Sequence, residues 1–274
     1  MKKLFVFGLL SVLVSILLSA CGQNSANIDR RLAARLDQYG IGPLELPELA
    51  SPEMIALGEM LFWDPELSGN RDTACATCHR PEFGTGDGLS LPAGTGSTGL
   101  GPARVLGGER EFVPRNASPL YNLGYSEWEV MFWDGRAEGN VEVGYESPAY
   151  DALPEGLQSV LAVQAMFPVT SRDEMLGDRG DVDIFGQKNE LAWIKDIYPE
   201  RIWAGLMLRL MAIPEYRQLF QAAYPGVPVD EMGFEYAANA IAAFETAAFT
   251  FIDSPWDRYL RGDREALSEA AKRG

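Results

Sequence analysis

Cys75-Ala76-Thr77-Cys78-His79 is the stretch from which this chain is read. Two cysteines separated by two residues and followed at once by histidine form the pattern of a c-type haem attachment site. Each thiol adds to one porphyrin vinyl group, and the two-residue spacer matches the distance between the vinyls. The adjacent imidazole is then held under the iron as its proximal ligand. His79 is the only histidine in the 274 residues, and it stands where the pattern requires one. A zinc site needs a fourth ligand group, and no second Cys/His cluster is written in the chain. A thioredoxin-type pair needs a βαβ setting, which is absent around these residues. A chance match is the remaining alternative. The expectation is one covalent haem c in this chain, held by Cys75 and Cys78 with His79 as the iron ligand.

The N-terminus supplies the compartment for such an attachment. Met1-Lys2-Lys3 is positively charged, Leu4 to Leu18 is apolar apart from Gly8, Ser11 and Ser15, and Leu18-Ser19-Ala20-Cys21 follows. This reads as a secretory signal peptide whose end resembles a bacterial lipobox, with Cys21 receiving the lipid. An uncleaved anchor, or an ordinary signal with a passive cysteine, is the alternative. Residues 1–21 are therefore expected to be a lipoprotein signal peptide and 22–26 a polar tether. The body would sit on the periplasmic side of a bacterial membrane, attached through the lipid only, with Gly22 leaving outer-membrane sorting open. Cys21, Cys75 and Cys78 account for all three cysteines, so none is left for a disulfide.

The remaining composition is that of a globular body, 47% hydrophobic and 23% charged. The formal net charge of −16 argues against nucleic acid or an anionic membrane surface as partner and suits a basic redox partner.

Apolar spacing predicts a mainly α fold. Helices are expected over Ile28–Tyr39, from Ser51-Pro52-Glu53 to Asp64-Pro65, over Gly156–Phe167, Glu190–Tyr198, Arg201–Ala212, Pro214–Ala223 and Glu235–Ile252. Ser51 is a natural N-cap and Pro52 a natural first helical residue. Gly58 inside that helix marks either a close backbone approach or a tolerated surface glycine. Phe83 to Gly108 carries nine glycines and reads as a long loop, either wrapping a haem edge or forming a mobile insertion. Phe132-Trp133-Asp134-Gly135-Arg136 is a dense cluster of aromatic, acid and base. No strand-rich region and no internal repeat is apparent.

These motifs, in this order, resemble the bacterial di-haem cytochrome c peroxidase family, which includes the MauG-like enzymes. The resemblance runs from about Leu57 to Gly274. It rests on Leu57-Gly58-Glu59-Met60-Leu61-Phe62-Trp63-Asp64-Pro65-Glu66-Leu67-Ser68-Gly69, on Cys75 to His79, and on Arg115-Asn116 with Pro119. Phe132 to Arg136 follows, then Pro168 with Glu174-Met175 and Gly177, then Ser254-Pro255-Trp256-Asp257-Arg258-Tyr259-Leu260-Arg261-Gly262-Asp263. It implies a cytochrome c-like haem domain with long Gly-rich loops over residues 27–252, with 253–274 opening a second, truncated haem domain. It also implies reduction of hydrogen peroxide to water with electrons from a small cytochrome c or cupredoxin.

By the same resemblance Glu174 is the acid that moves a proton between the peroxide oxygens, although unaided it is one of 39 acidic residues. Trp133 matches the tryptophan that passes electrons between two haems, with buried packing beside a haem as the alternative. Arg115 and Arg136 are candidates for haem contacts or for ordinary salt bridges. Met131, Met166 and Met175 are candidate sixth ligands, with core packing the stronger expectation.

The chain departs from the family in three ways. These residues hold no second C-x-x-C-H. The loop after the haem site has no distal histidine, so the iron is expected to be open without prior reduction. The segment between Arg136 and Glu174 is longer than usual. A mono-haem electron-transfer lipoprotein, an inactive truncated remnant and a MauG-like oxidase acting on a protein side chain remain alternatives. A homodimer covering apolar surface is a further expectation.

Overall fold

The computed structural model describes residues 27–274. The expected signal peptide, the lipid-bearing Cys21 and the tether lie outside the described residues. The chain forms two compact units, one of Pro47–Thr250 and one in which the stretch up to Leu46 joins Phe251–Gly274.

In the smaller unit, α1 (residues 27–38), α8 (Pro255–Leu260) and α9 (Glu269–Arg273) meet at a polar knot. Asp29 accepts from the Tyr259 hydroxyl at 2.8 Å and pairs with Lys272 Nζ at 3.1 Å. Ser254 and Asp257 cap α8 reciprocally, each side chain taking the other's backbone N–H.

The larger unit is built on α2 (Pro52–Trp63) crossing α7 (Phe234–Phe249). Ser51 caps α2 by accepting from Met54 N–H, and the helix stops before Asp64-Pro65, as expected. The two helices touch at Gly58, where a Cβ would stand 1.8 Å from the carbonyl oxygen of Ala240. Close backbone approach, rather than surface tolerance, is therefore the reason for this glycine. Leu57, Leu61 and Phe62 are fully buried in that seam, and the Phe62 ring meets Phe244 and Phe249 with centroids 5.1 and 5.8 Å apart. Two further helices, α5 (Pro199–Met211) and α6 (Pro214–Ala223), and the short α4 (Val160–Ala165) complete the core. Among the described residues the strands form one small antiparallel meander, β1 (Val130–Met131), β2 (Ala137–Asn140) and β3 (Gly144–Glu146), with Val130 opposite Glu138 and Glu138 opposite Glu146.

Two helical expectations are corrected. Glu190–Tyr198 is a single 3-10 turn at Leu191–Trp193. Asn189 Oδ1 accepts from Leu191 and Ala192 N–H, and Arg172 takes the carbonyls of Ala192 and Ile194, so side chains consume the groups a helix would pair. Gly156–Phe167 is helical only over Val160–Ala165, because Ser159 caps it by accepting from Ala162 N–H. Among the described residues no helix is long and apolar enough to cross a membrane.

Candidate haem site

The haem motif folds as one helical turn, α3 (Cys75–Cys78), with His79 closing it. Thr77 makes the turn: its hydroxyl accepts from Ala74 N–H at 2.9 Å, and His79 N–H donates to the Cys75 carbonyl. Three residues apart on one turn, the two sulfurs share a face. Both thiols are free, and both line one cavity of about 350 Å³ together with His79. Burial pushes each thiol up to about 12, so neither is a reactive thiolate in the folded chain.

His79 is aimed by its second nitrogen. Nδ1 donates to the carbonyl of Thr85 at 3.0 Å, which leaves Nε2 as the nitrogen that could hold a metal. Burial lowers its pKa, against the opposing pull of the Thr85 and Ser118 carbonyls, and favours the neutral imidazole that a metal requires. Thr85 is itself pinned, since its hydroxyl donates to Gly84 O and accepts from Leu120 N–H at 2.7 Å each. Two thiols on one face, a neutral imidazole with a free nitrogen, and a mostly apolar cavity beside them fit a covalently attached haem.

Glu174 lines the same cavity. It stands on a π-helical turn, Arg172–Leu176, in which Leu176 N–H reaches back to Ser171 O and Gly177 N–H to Arg172 O. Burial raises its pKa, while the Ser171 side chain and the Arg136 charge oppose the rise. The turn is fastened from two sides. On one, Gly69 N–H donates to Met175 O, and a Cβ on Gly69 would lie 2.0 Å from Leu176 O. On the other, Thr95 N–H donates to the backbone carbonyl of Glu174, and Gly94 passes so close that a Cβ would lie 1.9 Å from Asp173 O.

The glycine-rich loop is tied down rather than loose, and it reaches the site: Thr85 receives the His79 Nδ1–H and Pro92 lines the cavity. Buried Arg104 ties it internally, donating to the carbonyls of Ala93, Gly94 and Gly99 and to Thr73 Oγ1. The loop also braces the turn that carries Glu174.

The other expected residues stand at the cavity rim. Trp133 lines the cavity and is 63% exposed, with Nε1–H donating to Asn116 O at 2.9 Å. Arg136 lies 3.7 Å over the Phe132 ring and pairs with Asp134 at 3.0 Å. Arg115 is exposed and donates to Pro114 O. The three methionines are all buried in the core, and Met175 is the one of them that also lines the cavity.

No motif in the sequence points to Glu245 of α7. It is 5% exposed and lines the cavity, with Oε2 buried and without a hydrogen-bond partner. Its place one turn after Ile241, on the apolar face of an Ala- and Phe-rich helix, was the available signal.

Comparison with known proteins identifies the family. Residues 52–265 match the family described as di-haem cytochrome c peroxidase. The chain is 30% identical over 225 residues to the methylamine utilization protein MauG of Methylorubrum extorquens, covering 82% of this chain and 46% of that protein. It is 30% identical over 226 residues to cytochrome c551 peroxidase of Pseudomonas aeruginosa, covering 82% and 47%. Among solved structures, a MauG-like protein associated with microbial copper homeostasis aligns with a TM-score of 0.49 at 26% identity, over 83% of this chain and 50% of that one. The chain spans about half the length of these relatives. With its mainly α haem-site architecture, it belongs to the di-haem cytochrome c peroxidase family.

Proposed function

We propose that this chain carries one haem c on Cys75, Cys78 and His79 and reduces hydrogen peroxide to two waters, consuming two electrons and two protons. The observation that carries the reading is Glu174, a carboxyl raised by burial, on the wall of the cavity that both thiols and His79 line. When bound, the haem supplies the redox centre that accepts the electrons and receives the peroxide.

The chain's own residues supply the rest. Glu174 takes the proton from one peroxide oxygen and returns it to the other, which becomes the leaving water; a carboxyl lifted towards neutrality suits both transfers. Arg136, locked over Phe132 and against Asp134, sets a positive charge at the rim and restrains how far Glu174 rises. Trp133, exposed beside it, is the electron entry for a small cytochrome c or cupredoxin whose basic face suits an acidic body. The protein works on the periplasmic side of its membrane, anchored by lipid on Cys21, with residues 253–274 opening a second haem domain.

The test is the optical and EPR spectrum of the haem-loaded protein with and without hydrogen peroxide. A high-spin ferric resting state that consumes peroxide, slowed by about 10²–10⁴-fold in Glu174→Gln, is expected. A low-spin haem indifferent to peroxide overturns the reading. It would favour an electron carrier, with Met175, the methionine at the cavity, as the residue that would help hold the haem.

A further inference from the structure

Glu245 and Glu174 both line the cavity, but their surroundings differ. Glu174 has Ser171, Asp173 and Arg136 acting on it. Glu245 has burial alone, which pushes its carboxyl up to about 8. Helix α2 faces α7 with Leu57, Gly58, Leu61 and Phe62, while its acids Glu53 and Glu59 are exposed. Helix α4 brings no charged residue. Arg209 of α5 is committed to Glu190 and to the carbonyls of Glu66 and Ser68. Tyr216 of α6 donates to Asp64. Across the cavity stand His79, Arg115, Arg136 and Glu174. The titratable group set against Glu245 is Cys75, near enough for the carboxylate charge to act on the thiol. Thioether formation makes that sulfur neutral and unable to ionise. A buried carboxyl without a partner is costly when charged, so this one is poised to answer any new charge brought into the cavity.

We propose that Glu245 is a second acid of the haem pocket, taking up a proton when the bound haem is reduced and releasing it when the haem is oxidised. The inference rests on the haem reading of this cavity. The balance is one electron from the redox donor into the haem and one proton from solvent onto the Glu245 carboxylate. A ferric haem core carries one more positive charge than a ferrous one, so it favours the ionised carboxylate and the ferrous core favours the neutral acid. The linkage is reciprocal: protonating Glu245 makes the haem easier to reduce.

The experiment is a spectroelectrochemical titration of the haem-loaded chain from about pH 5 to 9, spanning the ordinary and the raised carboxyl range. The reduction equilibrium should fall by up to tenfold per pH unit in the window where Glu245 exchanges, which is about 59 mV for one electron. Glu245→Gln should load haem and flatten the dependence, and Glu174→Gln should retain it. Reduced-minus-oxidised infrared spectra of the unmutated protein should gain a protonated-carboxyl band that shifts with labelled glutamate and with D₂O. A pH-independent potential, a dependence that survives Glu245→Gln, or one that vanishes only in Glu174→Gln overturns the proposal. Should Glu245→Gln not load haem, the infrared spectrum of the unmutated protein decides, and absence of the carboxyl band overturns it. A chain that matures with both thiols still free and no haem overturns the reading of the cavity, and this proposal with it.

Discussion

Gly58→Ala should be among the most damaging single-methyl additions in the larger unit. The added Cβ would lie 1.8 Å from the Ala240 carbonyl oxygen and 2.8 Å from Phe244 Cβ. An optimal non-bonded contact is about 3.5 Å, so the seam falls short by roughly 1.7 Å at a point where one partner is backbone and cannot rotate away. The helices must separate. A gap of about 0.5–1 Å already forfeits a quarter to a half of the attraction between facing atoms, and Leu57, Leu61 and Phe62 all face that seam. Overpacking a core costs about 1–3 kcal/mol, and the fixed backbone contact puts this case near about 3 kcal/mol. That is a large part of the roughly 5–15 kcal/mol that keeps a domain folded. Urea unfolding of the haem-loaded protein measures it, with haem content as a second readout, because Ile241 and Glu245 of α7 line the haem cavity. Gly226→Ala is the control: nothing lies within 4 Å of its Cβ position, and its midpoint should stay within about 0.5 kcal/mol of the parent. A Gly58→Ala midpoint equally unmoved would refute the close-approach account of the α2–α7 crossing.

Three further outcomes are expected. Arg104→Met strips four acceptors of their donor and should cost about 3 kcal/mol in urea unfolding; peroxide consumption should fall further than haem content, because the Glu174 turn loses its brace. Asp29→Asn should weaken the smaller unit at neutral pH. Burial works to raise the Asp29 pKa, but the Tyr259 hydroxyl and Lys272 outweigh it and hold it below the ordinary carboxylate range. The stabilisation is therefore complete above the unfolded-state pKa and is lost as pH falls through the lower folded value, so mutant and parent should converge in acid unfolding curves. Trp133→Phe loses only the indole bond to Asn116 O from an exposed ring, so its folding midpoint should move by less than about 0.5 kcal/mol. Turnover with a protein electron donor should slow, while turnover with a small-molecule reductant should not.

How much of this was legible in the sequence varies with the distance over which each feature is written. The haem motif is local: Cys75, Cys78 and His79 announce one another across five residues, and the fold places them on one turn. Ser51-Pro52 and Pro214 marked helix starts for the same reason. The false helix at Glu190–Tyr198 failed because its backbone is claimed by Asn189 and by Arg172, a residue far back in the chain, which no local pattern records. Glu174 could be singled out only through the family resemblance. What holds it is a set of backbone approaches at Gly69 and Gly94, contributed by two segments distant in sequence. Glu245 is hidden in the sequence because the apolar pattern of an Ala- and Phe-rich helix predicts a packing face and says nothing of one acid within it.

The residue that steers His79 is held against its own preference. Thr85 is β-branched, fully buried and sits at φ +62°, a conformation in which such a side chain crowds the backbone. Its conformation persists because Arg80 takes its amide, Gly84 and Leu120 take its hydroxyl, and the imidazole takes its carbonyl. Each of those bonds helps hold the loop coiled, so the rotation of the imidazole is governed from four residues rather than one. The tilt of the ring plane becomes a property of the tightened loop and not of the histidine.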